Sequence, residues 1–153
     1  MIRLERTHKD DPRFLALVSQ LDQDLSGRYE DGNASYAPFN NLTKITAVVI
    51  ALEESEPVGC GSFKPYNENG VEIKRVFMSP TFRGRGISKR MLAELETWAL
   101  EKGCTHAVLE TGPNQPEAIS LYESIGYRRR ENFEPYVGLS ESICYEKPLW
   151  PKS

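Results

Sequence analysis

Histidine and cysteine are scarce in this 153-residue chain: His8 and His106 are the only histidines, and Cys60, Cys104 and Cys144 lie far apart. A zinc site needs clustered ligands and a disulfide framework an even, patterned set, so neither is expected. No run of 18 apolar residues occurs, and residues 1–11 are charged throughout with no apolar signal-peptide core. A soluble, cytoplasmic protein is the expectation. Repeats, low-complexity tracts and linkers are missing too, so residues 1–153 should form a single domain. Neither Gly-x-x-x-x-Gly-Lys-Ser/Thr nor Gly-x-Gly-x-x-Gly occurs, which disfavours nucleoside-triphosphate and dinucleotide sites. The formal net charge is -3, so no general attraction to nucleic acid or anionic membrane is expected.

What is present is an ordinary globular composition, 39% hydrophobic and 27% charged. Its patterning predicts a short strand over residues 2–5, then a helix opened by Asp11-Pro12, carrying Phe14, Leu17, Val18, Leu21 and Leu25 on one face and stopping at Gly27. Residues 28–43 are polar and aromatic and read as a long loop, with or without a short helix. Three strands follow, over 45–52, 58–66 and 71–78, the last two joined by the turn Asn67-Glu-Asn-Gly70. Helical spacing of Ile87, Met91, Leu95 and Trp98 marks a helix closed by Gly103. A strand over 105–111, a helix from Pro116 to Gly126 and strands over 127–130 and 142–147 complete the chain.

The stretch Pro80-Thr-Phe-Arg-Gly-Arg-Gly-Ile-Ser-Lys89 joins a strand to a helix whose first N–H groups lack intrahelical partners. Free donors and the positive end of the helix dipole favour an anion there, and Gly84 and Gly86 permit close backbone approach. A phosphate-bearing ligand fits. An RNA-contacting loop is the other use of such a sequence, but it calls for a wider basic face and stacking aromatics that this chain does not offer.

The blocks Glu72-Ile-Lys-Arg-Val-Phe-Met-Ser-Pro80, Arg83-Gly-Arg-Gly-Ile-Ser88 and Ala118-Ile-Ser-Leu-Tyr-Glu-Ser-Ile-Gly-Tyr127 together resemble the GNAT superfamily of acetyl-CoA-dependent N-acetyltransferases. They cover about residues 71–128. The superfamily signature, Arg or Gln, two residues, Gly, one residue, Gly or Ala, is met by Arg83 and Gly86; Ser88 departs from it at the last position. The resemblance implies an α/β fold of the α+β type: a mixed, mostly antiparallel sheet of about seven strands, splayed in the middle and flanked by about four helices. It implies acetyl-CoA as cosubstrate, with the pantetheine arm along Val76, Phe77 and Met78. The pyrophosphate would rest on the backbone of Arg83, Gly84, Arg85, Gly86, Ile87, Ser88 and Lys89. Asn114 is similar to a polar residue that contacts the cofactor arm in relatives, and it also suits a helix cap.

The implied reaction moves an acetyl group to a primary amine by direct attack in a ternary complex. An ammonium must lose a proton before it can attack, and the departing thiolate gains from receiving one. Tyr122, which in relatives points toward the coenzyme sulfur, is the candidate acid; a tyrosine packed in the core is the alternative. Glu72 is the candidate base, acting through water. In a regular strand it shares a face with Lys74, Val76 and Met78, and a surface ion pair with Lys74 is its other use. A backbone N–H near Met78 would polarise the thioester. Tyr29, Glu30, Tyr36, Glu134 and Tyr136 are candidate acceptor-binding residues, being acidic or aromatic in segments that flank the acetyl end of this fold. The acceptor stays open among a small amine, a peptide N-terminus and a protein lysine, as does acyl chain length. Homodimers are frequent among relatives. The competing function is an acyl-CoA-binding or sensing module without turnover.

Overall fold

A computed structural model describes residues 1–29, 31, 32 and 34–150. Strand β1 (Ile2–Thr7) leads into helix α1 (Pro12–Arg28), and the strands β2 (Ala47–Glu53), β3 (Glu56–Asn67) and β4 (Gly70–Met78) follow. Helix α2 (Ile87–Glu101), strand β5 (His106–Thr111), helix α3 (Pro116–Ser124) and strands β6 (Arg128–Arg130) and β7 (Ile143–Pro148) complete the order. Asp11 caps α1 by accepting the Arg13 N–H at 2.8 Å, and Pro12 sits in the first turn, where its missing donor costs nothing. The helix runs past the expected stop at Gly27, because Arg28 is tied to Asp24 one turn back and to Glu117 of α3.

About four helices were expected, and three α-helices form among the described residues. The segment that could have supplied a fourth, Ala34–Asn40, winds as a 3-10 helix instead. It is only seven residues long, and Pro38 removes a backbone donor. A second 3-10 turn, Pro80–Phe82, bridges β4 to the glycine loop.

The seven strands form one sheet in the order β1-β2-β3-β4-β5-β7-β6, antiparallel except for β4 beside β5. That parallel pairing is short: Gly70, Val71 and Glu72 face His106, Ala107 and Val108, and no register continues beyond. From Ile73 onward β4 pairs only with β3, while β5 pairs only with β7, so the sheet opens into a wedge. This is the expected splay. Helices α2 and α3 pack on one face over Met91, Leu92 and Leu95. Helix α1 packs on the other with Phe14, Leu17 and Leu21 against Val48, Ile50 and Phe77. Phe14 and Leu95 are both fully buried, and truncation of such side chains typically costs about 2–5 kcal/mol.

One irregularity redirects β4. Between Cys60↔Phe77 and Ser62↔Lys74 the strand holds one residue more than β3, a bulge centred on Arg75, whose φ is 57°. The side-chain alternation therefore slips. Regular alternation would put Glu72 and Lys74 on one face with Val76 and Met78, and the bulge separates them. Phe77 lies in the α1-side core, while Val76 and Met78 join the α2-side core with Ile73.

Candidate active site

Two cavities meet in the wedge. The outer is a groove of about 1250 Å³, counting space open to solvent. Strand β4 gives it Val76, Phe77 and Met78; the glycine loop gives Arg83, Gly84 and Gly86; α2 gives Ile87, Ser88 and Lys89; α3 gives Tyr122. Gly86, with φ 77° and ψ 6°, sits at the N-cap of α2, a left-handed conformation that non-glycine residues adopt only under strain. It turns the loop so that the first amides of α2 open onto the groove. Ser88 lies in the same wall, where a small residue fits. Arg83 folds back to donate to the Met78 carbonyl at 2.8 Å and stacks over Phe77, holding the end of β4 in place. Arg85 is exposed and stacks over Phe82.

The inner cavity, about 730 Å³ on the same count, lies between β4, β5 and the end of α1. Leu21, Val76, Gln115 and Tyr122 line both cavities, so these residues form the passage between them. Over that passage the end of α1 is clasped to the β5–α3 loop. The Asn114 side-chain amide donates to the Arg28 carbonyl at 2.7 Å, and the Arg28 guanidinium donates to the Asn114 carbonyl at 3.0 Å. Asn114 is thus a clasp residue, and the α3 N-cap is Gln115, which donates to the Tyr29 hydroxyl.

The Tyr122 hydroxyl makes no hydrogen bond among the described residues, although the side chain is nearly buried against Tyr127. Burial, helped by the charge of Glu110, raises its pKa, so the hydroxyl stays protonated at neutral pH. Glu72 is 2% exposed and held in place: Tyr136 donates to it at 3.1 Å, Lys74 lies 3.6 Å and Lys64 3.7 Å away. Lys74 also donates to the Phe39 carbonyl at 2.7 Å and to the Tyr136 hydroxyl at 2.9 Å. Burial lowers the Lys74 pKa, against the opposing pull of Glu72. The expected Glu72–Lys74 pair exists, but as a buried network rather than a surface one.

Among the candidate acceptor residues, Tyr29 and Tyr36 line the inner cavity. Tyr136 stands behind that wall, buried, where its hydroxyl bridges Lys74 and Glu72. Glu134 is exposed on the β6–β7 connection, and Glu30 lies outside the described residues. The sequence reading missed Glu110, Thr111 and Glu141, all of which line the inner cavity. Glu110 is half-buried and accepts from Ser142 at 2.8 Å, and Ser142 in turn shares a hydrogen bond with Tyr36 at 2.9 Å. Burial pushes the Glu110 carboxyl up to about 7, with Ser142 and Lys74 opposing and Glu72 reinforcing. The available signal was a carboxylate two residues beyond Val108 in an otherwise apolar strand, legible only once β5 is known to leave β4 there.

Residues 14–127 match the family model described as Acetyltransferase (GNAT) family. The chain belongs to the GNAT family of acetyltransferases. It is 34% identical over 135 residues to the IAA acetyltransferase of Azospirillum brasilense, covering 87% of this chain and 88% of that one. A crystal structure described as an acyl-CoA N-acyltransferase from Klebsiella pneumoniae superposes with a TM-score of 0.82 at 31% identity, over 98% of this chain and 99% of that one. A GNAT acetyltransferase of Elizabethkingia anophelis with acetyl-CoA bound has the same fold, with a TM-score of 0.67 at 20% identity and coverage of 97% and 98%. As a GNAT member the protein is an enzyme, an N-acetyltransferase that transfers an acyl group from acyl-CoA. Groove and amides suit the cofactor: a loop turned by Gly84 and Gly86, a helix N-terminus and flanking cations, with an unpaired strand edge beside them. Among the described residues no group of three or more His, Cys, Asp or Glu could hold a metal ion, and no helix is long and apolar enough to cross a membrane.

Proposed function

We propose that the enzyme acetylates a primary amine by direct attack on acetyl-CoA in a ternary complex. The observation that carries this reading is the meeting of the two cavities at Val76 and Tyr122. The thioester would lie at that passage, its pantetheine arm pairing with the edge of β4 left open by the splay, and its pyrophosphate over the amides of α2. The bulge at Arg75 interrupts the β3 ladder, and a backbone N–H near Met78 would polarise the thioester carbonyl.

On this reading the acceptor enters from the inner cavity, between Tyr29 and Tyr36, and loses a proton toward its carboxylates. Glu72 is the base expected from the sequence, reached through water. The amine attacks, the tetrahedral adduct collapses, and the coenzyme thiolate leaves with a proton from Tyr122, which is made good from the nitrogen of the new amide. Small amines, peptide N-termini and protein lysines are the acceptor classes, and the cytoplasm, where acetyl-CoA is drawn on, is the proposed location. A single domain over 1–153 suffices for all of these parts.

The test is thiol release from acetyl-CoA against a panel of primary amines, with mass detection of the acetylated product. Turnover with at least one amine, abolished when the amine is omitted, supports the reading. Tight coenzyme A binding with no amine acetylated would instead support a binding or sensing module.

A further inference from the structure

We infer that Arg75 and Thr111 together form a subsite for a carboxylate on the acceptor, so that the acceptor is a free α-amino acid. This rests on the amine-acetylation reading above and names the acceptor of that same site; the groove and Tyr122 keep the parts given there.

Among the described residues two buried side-chain polar atoms have no hydrogen-bond partner, the Arg75 Nε and the Thr111 hydroxyl oxygen. Both residues line the inner cavity. Buried polar atoms are nearly always satisfied, so two orphans in the wall of one cavity point to a ligand that supplies their partner. Their places in the sheet are matched. Glu72 and Val108 form the last rung that joins β4 to β5. Arg75 lies just beyond that rung on one lip of the wedge, and Thr111 lies the same distance along the chain beyond it on the other.

The guanidinium carries the stronger signal. The Arg75 side chain is 3% exposed, whereas Asp22, which pairs with it through Nη2, is 56% exposed. Burying a guanidinium that deeply is costly, and a single carboxylate standing largely in solvent compensates it only in part. The backbone is also held at a left-handed φ of 57° inside a bulge, a conformation that in a non-glycine residue accompanies functional positions. An ionised carboxylate is acceptor-only and has two oxygens, so it can take the Nε–H of Arg75 and the hydroxyl of Thr111 at once.

The other charges of the cavity fix what accompanies that carboxylate. Lys74, the second cation in the wall, is already engaged with the Phe39 carbonyl, the Tyr136 hydroxyl and Glu72. Glu110 and Glu141 line the same cavity and suit an ammonium. A zwitterion meets both signs; a plain alkylammonium would leave Arg75 and Thr111 unsatisfied. Arg75 directly precedes Val76, which lines the passage to the groove, so the anion lies close beside the reacting nitrogen. In a free α-amino acid one carbon separates the two groups. A peptide N-terminus has that carboxyl tied up as an amide, and a lysine side chain carries its nitrogen on a long stem away from any carboxylate.

The experiment measures kcat and KM at saturating acetyl-CoA for a panel of L-α-amino acids, each beside its carboxamide and its decarboxylated amine. The enzymes are the wild type, Arg75→Lys, Thr111→Val and Thr111→Ser, with coenzyme A affinity and thermal melts taken on the same preparations. In the wild type the best amino acid should exceed its carboxamide and its amine by at least about 10-fold in kcat/KM. Arg75→Lys keeps the charge but lacks Nε, and Thr111→Val keeps the shape but lacks the hydroxyl. Each should bring that preference down to about 3-fold or less, chiefly through a higher KM for the amino acid, with coenzyme A affinity kept. Thr111→Ser should restore the preference.

A wild type that uses the carboxamide or the amine as well as the amino acid overturns the inference. So does a preference left intact in Thr111→Val or in folded Arg75→Lys, which would mean that only an ordered water satisfies the pair. If Arg75→Lys does not fold, Thr111→Val carries the test, because the hydroxyl it removes has no partner to strand. A wild type that acetylates no amine of any kind overturns the amine-acetylation reading as well, and that result alone tells the two failures apart.

Discussion

Tyr122 combines a buried ring with a hydroxyl that bonds to nothing among the described residues, so removing the oxygen leaves no unsatisfied partner behind. Tyr122→Phe is therefore expected to melt within a degree or two of the wild type while kcat falls about 10- to 100-fold and coenzyme A affinity is kept. Thermal melts and thiol-release kinetics on the same preparation check both halves. At Glu110 the charge works against the fold. Its carboxyl pKa is raised from 4.5 to about 7, so the native state holds that proton more tightly than the unfolded chain does. The charged form thus costs stability, and the cost grows as pH rises from about 4.5 through 7. Glu110→Gln escapes it. The variant should be more stable than the wild type by about 1–2 kcal/mol at pH 8, allowing for its partial exposure, and show no such gain at pH 4. Denaturant unfolding at the two pH values reads this directly.

Two elements shape the walls of the wedge, the bulged strand β4 and the loop that caps α2. Arg75 holds a left-handed φ of 57° with its side chain 3% exposed and paired to Asp22 of α1, an arrangement that strains the backbone by roughly 1–3 kcal/mol. Asp22→Ala leaves the guanidinium without its partner. The expected loss is about 2 kcal/mol of stability together with a lower kcat, seen by denaturant titration and turnover. At Gly86 an added Cβ would meet nothing within 4 Å, so in the free protein Gly86→Ala suffers only the left-handed strain, about 1–2 kcal/mol. The bound pyrophosphate would approach that same space, so coenzyme A affinity should fall by at least 10-fold, measured by calorimetry. These elements were unevenly legible beforehand. The glycine loop announced itself, because glycine spacing and basic residues ahead of an amphipathic helix are local features. The bulge did not: Arg75 looks like any strand residue, and only the count of residues opposite β3 reveals the slip. Hence the face that Glu72 would share with Val76 and Met78 in a regular strand does not form, whereas Arg83, Gly84 and Gly86 line one groove with the start of α2.

Across the whole molecule, function follows from a sheet that fails to close. Strands β4 and β5 pair through three residues and then part; α2 with its loop supplies one wall of the gap, and α1 with the 3-10 segment supplies the other. Element order and nearly every boundary were readable from periodicity and turn residues, within one or two positions. The inner cavity was not, since Glu110, Thr111 and Glu141 are brought together by strand pairing between distant segments, and nothing local in the chain marks them as neighbours. The same contrast explains why the groove was legible from contiguous residues while the inner cavity was not. Attack by an amine from the inner cavity on a thioester at the passage beside Tyr122 can be followed by incubating the enzyme with acetyl-CoA and a simple primary alkylamine and quantifying both products. Free coenzyme A and N-acetylated amine should appear in equal amounts, with neither formed when the amine is left out. Coenzyme A released in equal amounts with and without the amine, or acetyl-CoA bound and left intact, would contradict it.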